Sequence, residues 1–282
     1  MPLLSLSEAI ARYVHDGQSI ALEGFTHLIP FAAGHEIIRQ QRRGLHLIRM
    51  TPDLLHDQMI GAGCAAHLTF SWGGNPGVGS LHRLRDALEK QWPQPLAITE
   101  RTHAEMAIAY QAGASGLPCG LMRHYAPTDL DRERAAPAAM LTCPFSGAAL
   151  RAIPAITPDV AILHAQAVDA EGNVLMRGIL GAAREAALAA RCLLVTVEAQ
   201  VPQLDAPMNA VVLPHWMISA VSLAPGGAHP SYAAGCYDRD NRFYVAWDEI
   251  ARDRKHFQQW MREYVFASRD HAELLRRLRV AA

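Results

Sequence analysis

The sequence predicts an α/β fold with a mostly parallel, open sheet flanked by helices. Apolar runs of strand length alternate with stretches in which apolar residues recur every three or four positions, as in amphipathic helices. The chain has 282 residues, half of them hydrophobic, which is enough to bury a sizeable core. We therefore expect one domain over residues 1–282, with a helical C-terminal part from about Phe243.

The first 112 residues alternate regularly between the two kinds of element. Ser5 and Glu8 have the spacing of a capping box and open the first helix. The elements that follow are strand Ser19–Glu23, helix Phe31–Arg43, strand Leu45–Met50, helix Leu54–Ile60, strand His67–Trp72, a helix marked by Leu81, Leu84 and Leu88, strand Leu96–Thr99 and helix His103–Ala112.

The alternation resumes after a polar stretch, Ala126–Ala139, which contains two prolines. This stretch is a lid, an inter-subunit arm or a plain surface loop. The later elements are strand Asp159–His164, a hairpin turn at Asp169–Asn173, helix Ala182–Ala190, strand Cys192–Glu198 and strands Asn209–Leu213 and Met217–Leu223.

Charge and composition exclude several classes of protein. The net charge is −1, without the basic stripe that is typical of nucleic-acid binders. No apolar run of about 18 residues predicts a membrane span, and the N-terminus does not have the pattern of a signal peptide. The five cysteines are scattered without a CxxC pair, so we expect neither disulfides nor a metal site, and a cytoplasmic location.

A glycine-rich segment between a strand and a helix, Trp72–Ser80 (WGGNPGVGS), is the strongest candidate for an active-site loop. Glycines allow the backbone to approach a ligand, Ser80 can cap the following helix, and free N–H groups at a helix start favour an anion. The order of glycines fits neither the dinucleotide motif nor the P-loop, so an NAD or ATP site is not indicated. A structural turn is the alternative reading.

Two further segments follow strands and carry chemically active side chains. The first, Glu23–His27, combines a carboxylate, a glycine and a histidine, although a lone histidine there is more often structural. The second is Thr99–Glu105, in which Glu100 is a base or nucleophile if desolvated, or else only favours the helix start electrostatically. For Glu105 we favour the electrostatic role.

Four segments in order along the chain are similar to one family of enzymes. The chain resembles the A (alpha) subunit of family I CoA-transferases, of the glutaconate CoA-transferase type. The segments that carry this resemblance are Asp16–Phe25, Phe70–Arg83, Ala161–Gly178 with the later Val195–Glu198, and Pro225–Asp240.

The resemblance implies the fold of the CoA-transferase superfamily and a partner B (beta) subunit, in an A2B2 heterotetramer. It implies that the partner carries a glutamate, which attacks an acyl-CoA thioester, and that a glutamyl-CoA intermediate then passes CoA to a small carboxylic acid. Coenzyme A is thus a substrate moiety, and no permanently bound cofactor is expected. The substrate-binding residues that it implies in this chain are Gly24, Phe25 and Thr26 in a first loop, and Ser71, Trp72, Gly73, Gly74, Asn75, Gly77 and Gly79 in an acyl-pocket loop.

The chain departs from the family pattern in the first loop. Where the family has Gly-Gly-Phe-Gly, this chain has Glu23-Gly24-Phe25-Thr26. The identity of the acid is left open by the sequence. Apolar residues suggest a hydrophobic pocket wall, while Arg83 and His27 are candidates to meet a second carboxylate, and Arg83 as a solvated helix residue is the alternative.

Two other functions remain as alternatives. One is a related hydrolase of a CoA thioester or of a ring-opening reaction, with Glu100 as the catalytic residue. The other is a ligand-sensing protein on the same fold. Sensors of that kind carry an N-terminal DNA-binding segment, for which we expect no room because the first strand begins by Ser19.

Overall fold

The computed structural model describes residues 3–75, 78–123 and 139–280, and within them it confirms the α/β fold. Nine strands form one sheet and three form a second, smaller one. The strands are β1 Ser19–Leu22, β2 Leu45–Ile48, β3 Ala65–Phe70, β4 Ala97–Glu100, β5 Cys119–Arg123, β6 Ala139–Thr142, β7 Ala149–Pro154, β8 Val160–Val168, β9 Val174–Met176, β10 Cys192–Gln200, β11 Val211–Leu213 and β12 Ala220–Leu223.

The large sheet is parallel through seven neighbouring strands, in the order β4-β3-β2-β1-β8-β10-β12. Strand β8 is longer than β1, so its last residues, Ala167 and Val168, extend past the end of β1 and pair with antiparallel β9. The predicted turn Asp169–Asn173 joins β8 to β9, which confirms the hairpin. Strand β11 pairs antiparallel with β9 and completes the sheet at that end.

Helices cover both faces of the large sheet. They are α1 Leu6–Tyr13, α2 Phe31–Arg39, α3 Leu54–Gly61, α4 His82–Lys90, α5 His103–Ala114, α6 Ala183–Ala189, α7 Asn241–Arg252, α8 Arg254–Trp260 with a π-helical continuation at Met261–Phe266, and α9 His271–Leu278. Among the described residues, a 3₁₀ turn spans His215–Met217 and overlaps the start of the segment predicted as the strand Met217–Leu223. That strand begins only at Ala220, because the 3₁₀ turn follows Pro214 directly.

Alternate residues of the central strands enter two separate cores. Ile20 and Leu22 pack with α1 to α4 and the C-terminal helices, whereas Ala21 packs with α5 and α6 on the opposite face. This division follows from the two-residue period of a strand. Because both faces are buried, the central strands are almost uniformly apolar, as the sequence shows for β8 and β10.

The small sheet, in the order β5-β7-β6, was not predicted from the sequence. Its strands are antiparallel and largely exposed, and the short segments lack a clear apolar alternation. Most of the stretch predicted as a lid, arm or loop, residues 126–138, lies outside the described residues. Among the described residues, no helix combines the length and apolar content that crossing a membrane requires.

Candidate active site

The first three parallel strands end side by side, and hydrogen bonds join the residues that follow them. The Met50 N–H, after β2, donates to Glu23 Oε1 after β1 at 3.0 Å. Ser71, after β3, donates to the Met50 carbonyl through its N–H at 3.1 Å and through its hydroxyl at 2.6 Å. The two loops predicted from the sequence therefore begin at the same carboxyl edge, where open parallel sheets bind ligands.

The first loop has a backbone shape that glycine adopts most readily. Gly24 has φ of +155°, and a Cβ there would lie 2.7 Å from the carbonyl oxygens of both His27 and Leu28. Thr26, which replaces the fourth glycine of the family pattern, has φ of +57°. Thr26 therefore adopts a left-handed conformation, at a strain of about 1–2 kcal/mol for a β-branched residue.

Three backbone donors in these loops have no acceptor among the described residues. Within the part of the chain that the structure describes, the N–H groups of Phe25, Thr26 and Gly73 donate to no protein acceptor. Phe25 and Thr26 are half-buried, and Gly73 is exposed. Free N–H groups beside a cleft can stabilise the negative charge of a tetrahedral oxyanion.

Glu23 supports this loop from below. Its side chain is buried, and Oε1 also accepts a 2.8 Å hydrogen bond from the Tyr110 hydroxyl. Burial raises the pKa of Glu23, and the nearby Arg49 guanidinium opposes that rise. Its carboxylate therefore holds strand ends together and is not presented to solvent.

His27 is also a structural residue, as the more cautious interpretation of the sequence held. Its Nδ1 lies 3.1 Å from the Ile179 carbonyl, and its Nε2 accepts from the Ala234 N–H at 2.9 Å. These partners require a proton on Nδ1 and none on Nε2, so the ring is neutral. Burial lowers its pKa in agreement. The suggestion that His27 meets a second carboxylate is wrong, because both nitrogens are occupied within the chain.

Residues 226–237 form a support loop that holds the first loop from the other side. The Leu28 N–H donates to the Tyr232 carbonyl at 2.9 Å, and the Ser231 hydroxyl donates to the Thr26 carbonyl at 2.8 Å. With the His27–Ala234 bond, three hydrogen bonds fix the left-handed backbone in place.

A half-buried carboxylate near the end of β10, Glu198, anchors the support loop. Its Oε1 accepts from Tyr237 at 2.7 Å and lies 2.6 Å from His164 Nε2, while Oε2 accepts from the Gly226 N–H at 2.7 Å. Burial by itself raises the pKa of Glu198, but these hydrogen bonds and the charge of His164 lower it overall. Sequence reasoning did not assign this residue a role, although it ends one of the segments that carry the resemblance.

The glycine-rich loop contacts its surroundings closely. A Cβ at Gly74 would lie 2.7 Å from the Trp72 ring, and one at Gly79, where φ is +123°, would collide with Asp248 of α7. Asn75 is buried, with a backbone bridge to Gly79. Its side-chain amide has no partner among the described residues. Gly77, the remaining predicted residue, lies outside the described residues.

From the sequence we expected the helix after this loop to offer its N-terminus to a ligand. The structure shows that it does not. Ser80 is not its cap, since Leu81 occupies the N-cap position without a side-chain hydrogen bond. Instead Asp57 of α3 accepts from the N–H groups of Arg83 and Leu84 at 2.8 and 2.9 Å. The anion at this helix start is therefore an internal carboxylate, and burial raises its pKa to about 7.

Arg83 does not face a substrate either. Its side chain is buried, pairs with Asp86 at 3.0 Å and stacks over Trp92 and Phe257. Both interpretations of Arg83 from the sequence, as a carboxylate contact and as a solvated helix residue, are corrected by this burial.

Glu100 lies at the carboxyl end of the edge strand β4, paired in register with Phe70 of β3. It is therefore one strand from the glycine-rich loop and three strands from the first loop. Its side chain is exposed. Burial within this chain does not provide the desolvation that a nucleophilic role requires, so catalysis by Glu100 stays a prediction.

A cavity of about 420 Å³ lies beside the first loop, between α5 and α6. Met50, Tyr110, Gln111 and Gly181 contribute to its lining. A Cβ at Gly181 would lie 2.8 Å from Phe25, so this cavity borders the loop that carries the free N–H groups.

Comparison with known proteins identifies close relatives over almost the full length. A family model described as Coenzyme A transferase matches residues 3–224. The chain is 59% identical over 271 residues, 96% of both chains, to the A subunit of the 3-oxoadipate CoA-transferase of Pseudomonas knackmussii.

Two more distant relatives differ in how much of the chain they match. The A subunit of the glutaconate CoA-transferase of Acidaminococcus fermentans is 31% identical over 98% of this chain and 91% of its own. The crystal structure of that enzyme superimposes with a TM-score of 0.90 over 99% of this chain and 93% of its own, at 30% identity. A cholesterol ring-cleaving hydrolase IpdA subunit of Rhodococcus jostii is 27% identical over 62% of each chain.

Proposed function

The chain belongs to the coenzyme A transferase family, and we propose that it is the A subunit of a two-chain enzyme that moves CoA from an acyl-CoA to a small carboxylic acid. Relatives over nearly the whole length are named as the A subunits of such transferases, which supports a B-subunit partner for this chain. An A2B2 assembly is the arrangement that we propose.

The single observation that carries the proposal is the left-handed first loop with free N–H groups at Phe25 and Thr26. This loop is held rigid by three hydrogen bonds from the support loop and by the burial of Glu23 beneath it. Rigid donors of this kind stabilise a developing oxyanion without a reorganisation cost.

In the proposed reaction, a glutamate of the partner chain attacks the thioester carbonyl and releases the CoA thiolate, which leaves an acyl–glutamyl anhydride. The thiolate then attacks the glutamyl carbonyl, so that the first acid departs and a glutamyl-CoA thioester remains. The acceptor acid takes CoA by the same two steps in reverse. The N–H groups of this chain stabilise the tetrahedral oxyanions, and Ser71, Trp72 and the loop glycines border the acyl group.

We further propose that the acid carries two carboxylates. The acids in the names of the two transferase relatives, 3-oxoadipate and glutaconate, are both dicarboxylates. An acid of this class needs one carboxylate at the reacting centre and a second, distant one that the protein must accommodate.

A hydrolase that uses Glu100 is less well supported. The Rhodococcus jostii hydrolase subunit matches 62% of the chain, whereas the two transferase relatives match 96% and 98% of it. The exposure of Glu100 on an edge strand also offers no burial to activate it as a nucleophile.

The decisive experiment traps the covalent intermediate. The chain is purified alone and with its co-expressed B-subunit partner, incubated with acyl-CoA donors, and treated with hydroxylamine or borohydride before peptide mapping. We expect a modified glutamate on the partner chain, together with CoA transfer only from the pair.

Two results would contradict the proposal. Full transfer activity from this chain alone would refute the two-subunit requirement. Release of free CoA without an acceptor acid, abolished by Glu100→Gln, would establish the hydrolase instead.

A further inference from the structure

One arginine near the first loop has a guanidinium that no described residue compensates. Arg177 follows β9 and is half-buried. Among the described residues, its guanidinium makes no ion pair and donates no hydrogen bond, in contrast to Arg49 and Arg83, whose charges are paired internally. A half-buried guanidinium without a partner favours an anion from outside the chain.

The backbone of Arg177 is held rigidly at this position. The buried amide of Gln166, in β8, accepts from the Arg177 N–H at 3.1 Å and donates to the Arg177 carbonyl at 3.0 Å. This pair of bonds fixes the position from which the side chain extends.

The guanidinium itself lies over the support loop. A Cβ added at Gly235 would collide with Arg177 Nη2, so the guanidinium lies against the backbone of the support loop. Its charge also acts on the neighbouring Cys236, where it opposes the rise in the pKa of that thiol caused by burial and by Glu198.

The next residues bring Arg177 close to the proposed oxyanion loop. A Cβ at Gly178 would lie 2.7 Å from the His27 ring, and the Ile179 carbonyl accepts from that ring. Gly181 contacts Phe25. Residues 177–181 therefore pack along the first loop, with the arginine at one end of this contact.

We propose that Arg177 binds the distal carboxylate of a dicarboxylic acyl group and so selects dicarboxylic over monocarboxylic acids. This inference rests on the proposed transferase function. The planar guanidinium matches a carboxylate with two parallel hydrogen bonds, which lysine cannot reproduce. The reacting carboxylate lies at the first loop, and the second carboxylate meets Arg177.

The test measures CoA transfer by the A–B complex to adipic acid and to hexanoic acid, from a panel of acetyl-, succinyl- and glutaryl-CoA donors. These acids have the same number of carbons and differ in the second carboxylate. We expect Arg177→Gln to lower kcat/KM for adipic acid by about 10- to 100-fold and to leave hexanoic acid within about 2-fold. Arg177→Lys keeps the positive charge without the two parallel donors of a guanidinium. Its kcat/KM for adipic acid should lie between the values of wild type and Arg177→Gln.

Two further variants complete the design. Arg191→Gln is the matched control, since Arg191 is exposed at the amino end of β10, on the opposite edge of the sheet. Arg177→Met removes the guanidinium but keeps a long side chain and should reproduce the selective loss, which provides a second route if Arg177→Gln does not fold.

The outcomes separate this inference from the function on which it rests. Equal losses with both acids, or no loss with either, overturn the assignment of Arg177 and leave the transferase function intact. A preference of the wild-type complex for hexanoic acid over adipic acid also overturns the assignment of Arg177 and leaves the transferase function intact. No transfer from any donor to any acid overturns the proposed function, and the role of Arg177 with it.

Discussion

At the scale of single residues, environment decides which polar side chains can act on a substrate. His27, Arg83 and Glu23 all belong to types that bind anions or act as acids, bases or nucleophiles, yet each is buried with partners from its own chain. Buried polar groups require such partners, because an unsatisfied one costs about 1–3 kcal/mol. Among the groups left free for chemistry are backbone N–H donors, which any sequence contains.

The conformation of Gly24 leads to a direct test at this scale. We expect Gly24→Ala to lower the activity of the A–B complex by about 100-fold, since its Cβ would collide with two carbonyl oxygens and displace the donors. Gly116→Ala is the control: Gly116 has φ of +66° but no atom within 4 Å of a Cβ, so only backbone strain of about 1 kcal/mol applies. Steady-state kinetics and thermal unfolding of both variants provide the comparison.

Retention of activity in the Gly24 variant would show that the first loop does not position catalytic donors. A parallel loss in the Gly116 variant would instead show that the enzyme responds to any strained glycine replacement.

At the scale of elements, α3 and α4 are joined by a cap that crosses between helices. Asp57 lies inside α3 and accepts from the first-turn N–H groups of α4, a role that a local Ser or Thr fills in most helices. Its Oδ2 is buried and has no partner among the described residues. Burial therefore raises the pKa of this carboxyl to about 7, so that it is partly protonated at neutral pH.

Two substitutions of Asp57 distinguish the loss of its hydrogen-bond acceptor from the loss of its charge. We expect Asp57→Ala to destabilise the fold by about 3 kcal/mol, because two buried N–H groups lose their acceptor. Asp57→Asn keeps a carbonyl oxygen for them and should remain within about 1 kcal/mol of wild type at pH 7.

The raised pKa of Asp57 determines how the stability of the fold changes with pH. The folded pKa of Asp57, about 7, exceeds the ordinary value of 3.8. Between pH 3.8 and 7 the folded wild type therefore binds more protons than the unfolded chain, and it loses stability as the pH rises through this range. Relative to wild type, Asp57→Asn should therefore gain about 2.5 kcal/mol between pH 5 and 8 in denaturant titrations. A constant difference would mean that Asp57 ionises normally.

At the scale of the whole molecule, the C-terminal helices close against the N-terminal half through buried imidazoles. The rings of His35 in α2 and His271 in α9 stack at 6.1 Å, His35 lies 2.7 Å from Gln58 Oε1, and His271 lies 2.9 Å from the Gly226 carbonyl. Burial lowers the pKa of His271 to about 4 and that of His35 well below its ordinary value. The closure thus requires both rings to be neutral.

Acid should therefore weaken this closure. The unfolded chain binds a proton at His271 near pH 6.5 and the folded chain only near 4, so the stability that this residue contributes is complete above 6.5 and is lost as pH falls to 4. The loss is about 3 kcal/mol. The free-energy difference between wild type and His271→Gln should change by that amount across the window, while His256→Gln, an exposed control in α8, should show no such trend. A flat difference for His271 would refute the buried neutral state.

What the sequence by itself determined about this protein is its layered α/β order, the strands and helices of its first half and the two loops that follow β1 and β3. These features depend on apolar periodicity and on local glycines, which are readable along the chain. Small exposed strands such as β5 and β6 carry no such pattern, and the 3₁₀ turn at His215 interrupts a segment with an otherwise strand-like composition.

Only the tertiary structure decided which side chains remain free at the carboxyl edge. It pairs Arg83 with Asp86, places Asp57 where Ser80 was expected, and leaves Arg177 without an anion among the described residues. The physical reason is that burial and pairing depend on contacts between residues far apart in the chain, such as Asp57 with Arg83 or Arg177 with Gly235, whose geometry is set only when the strands assemble.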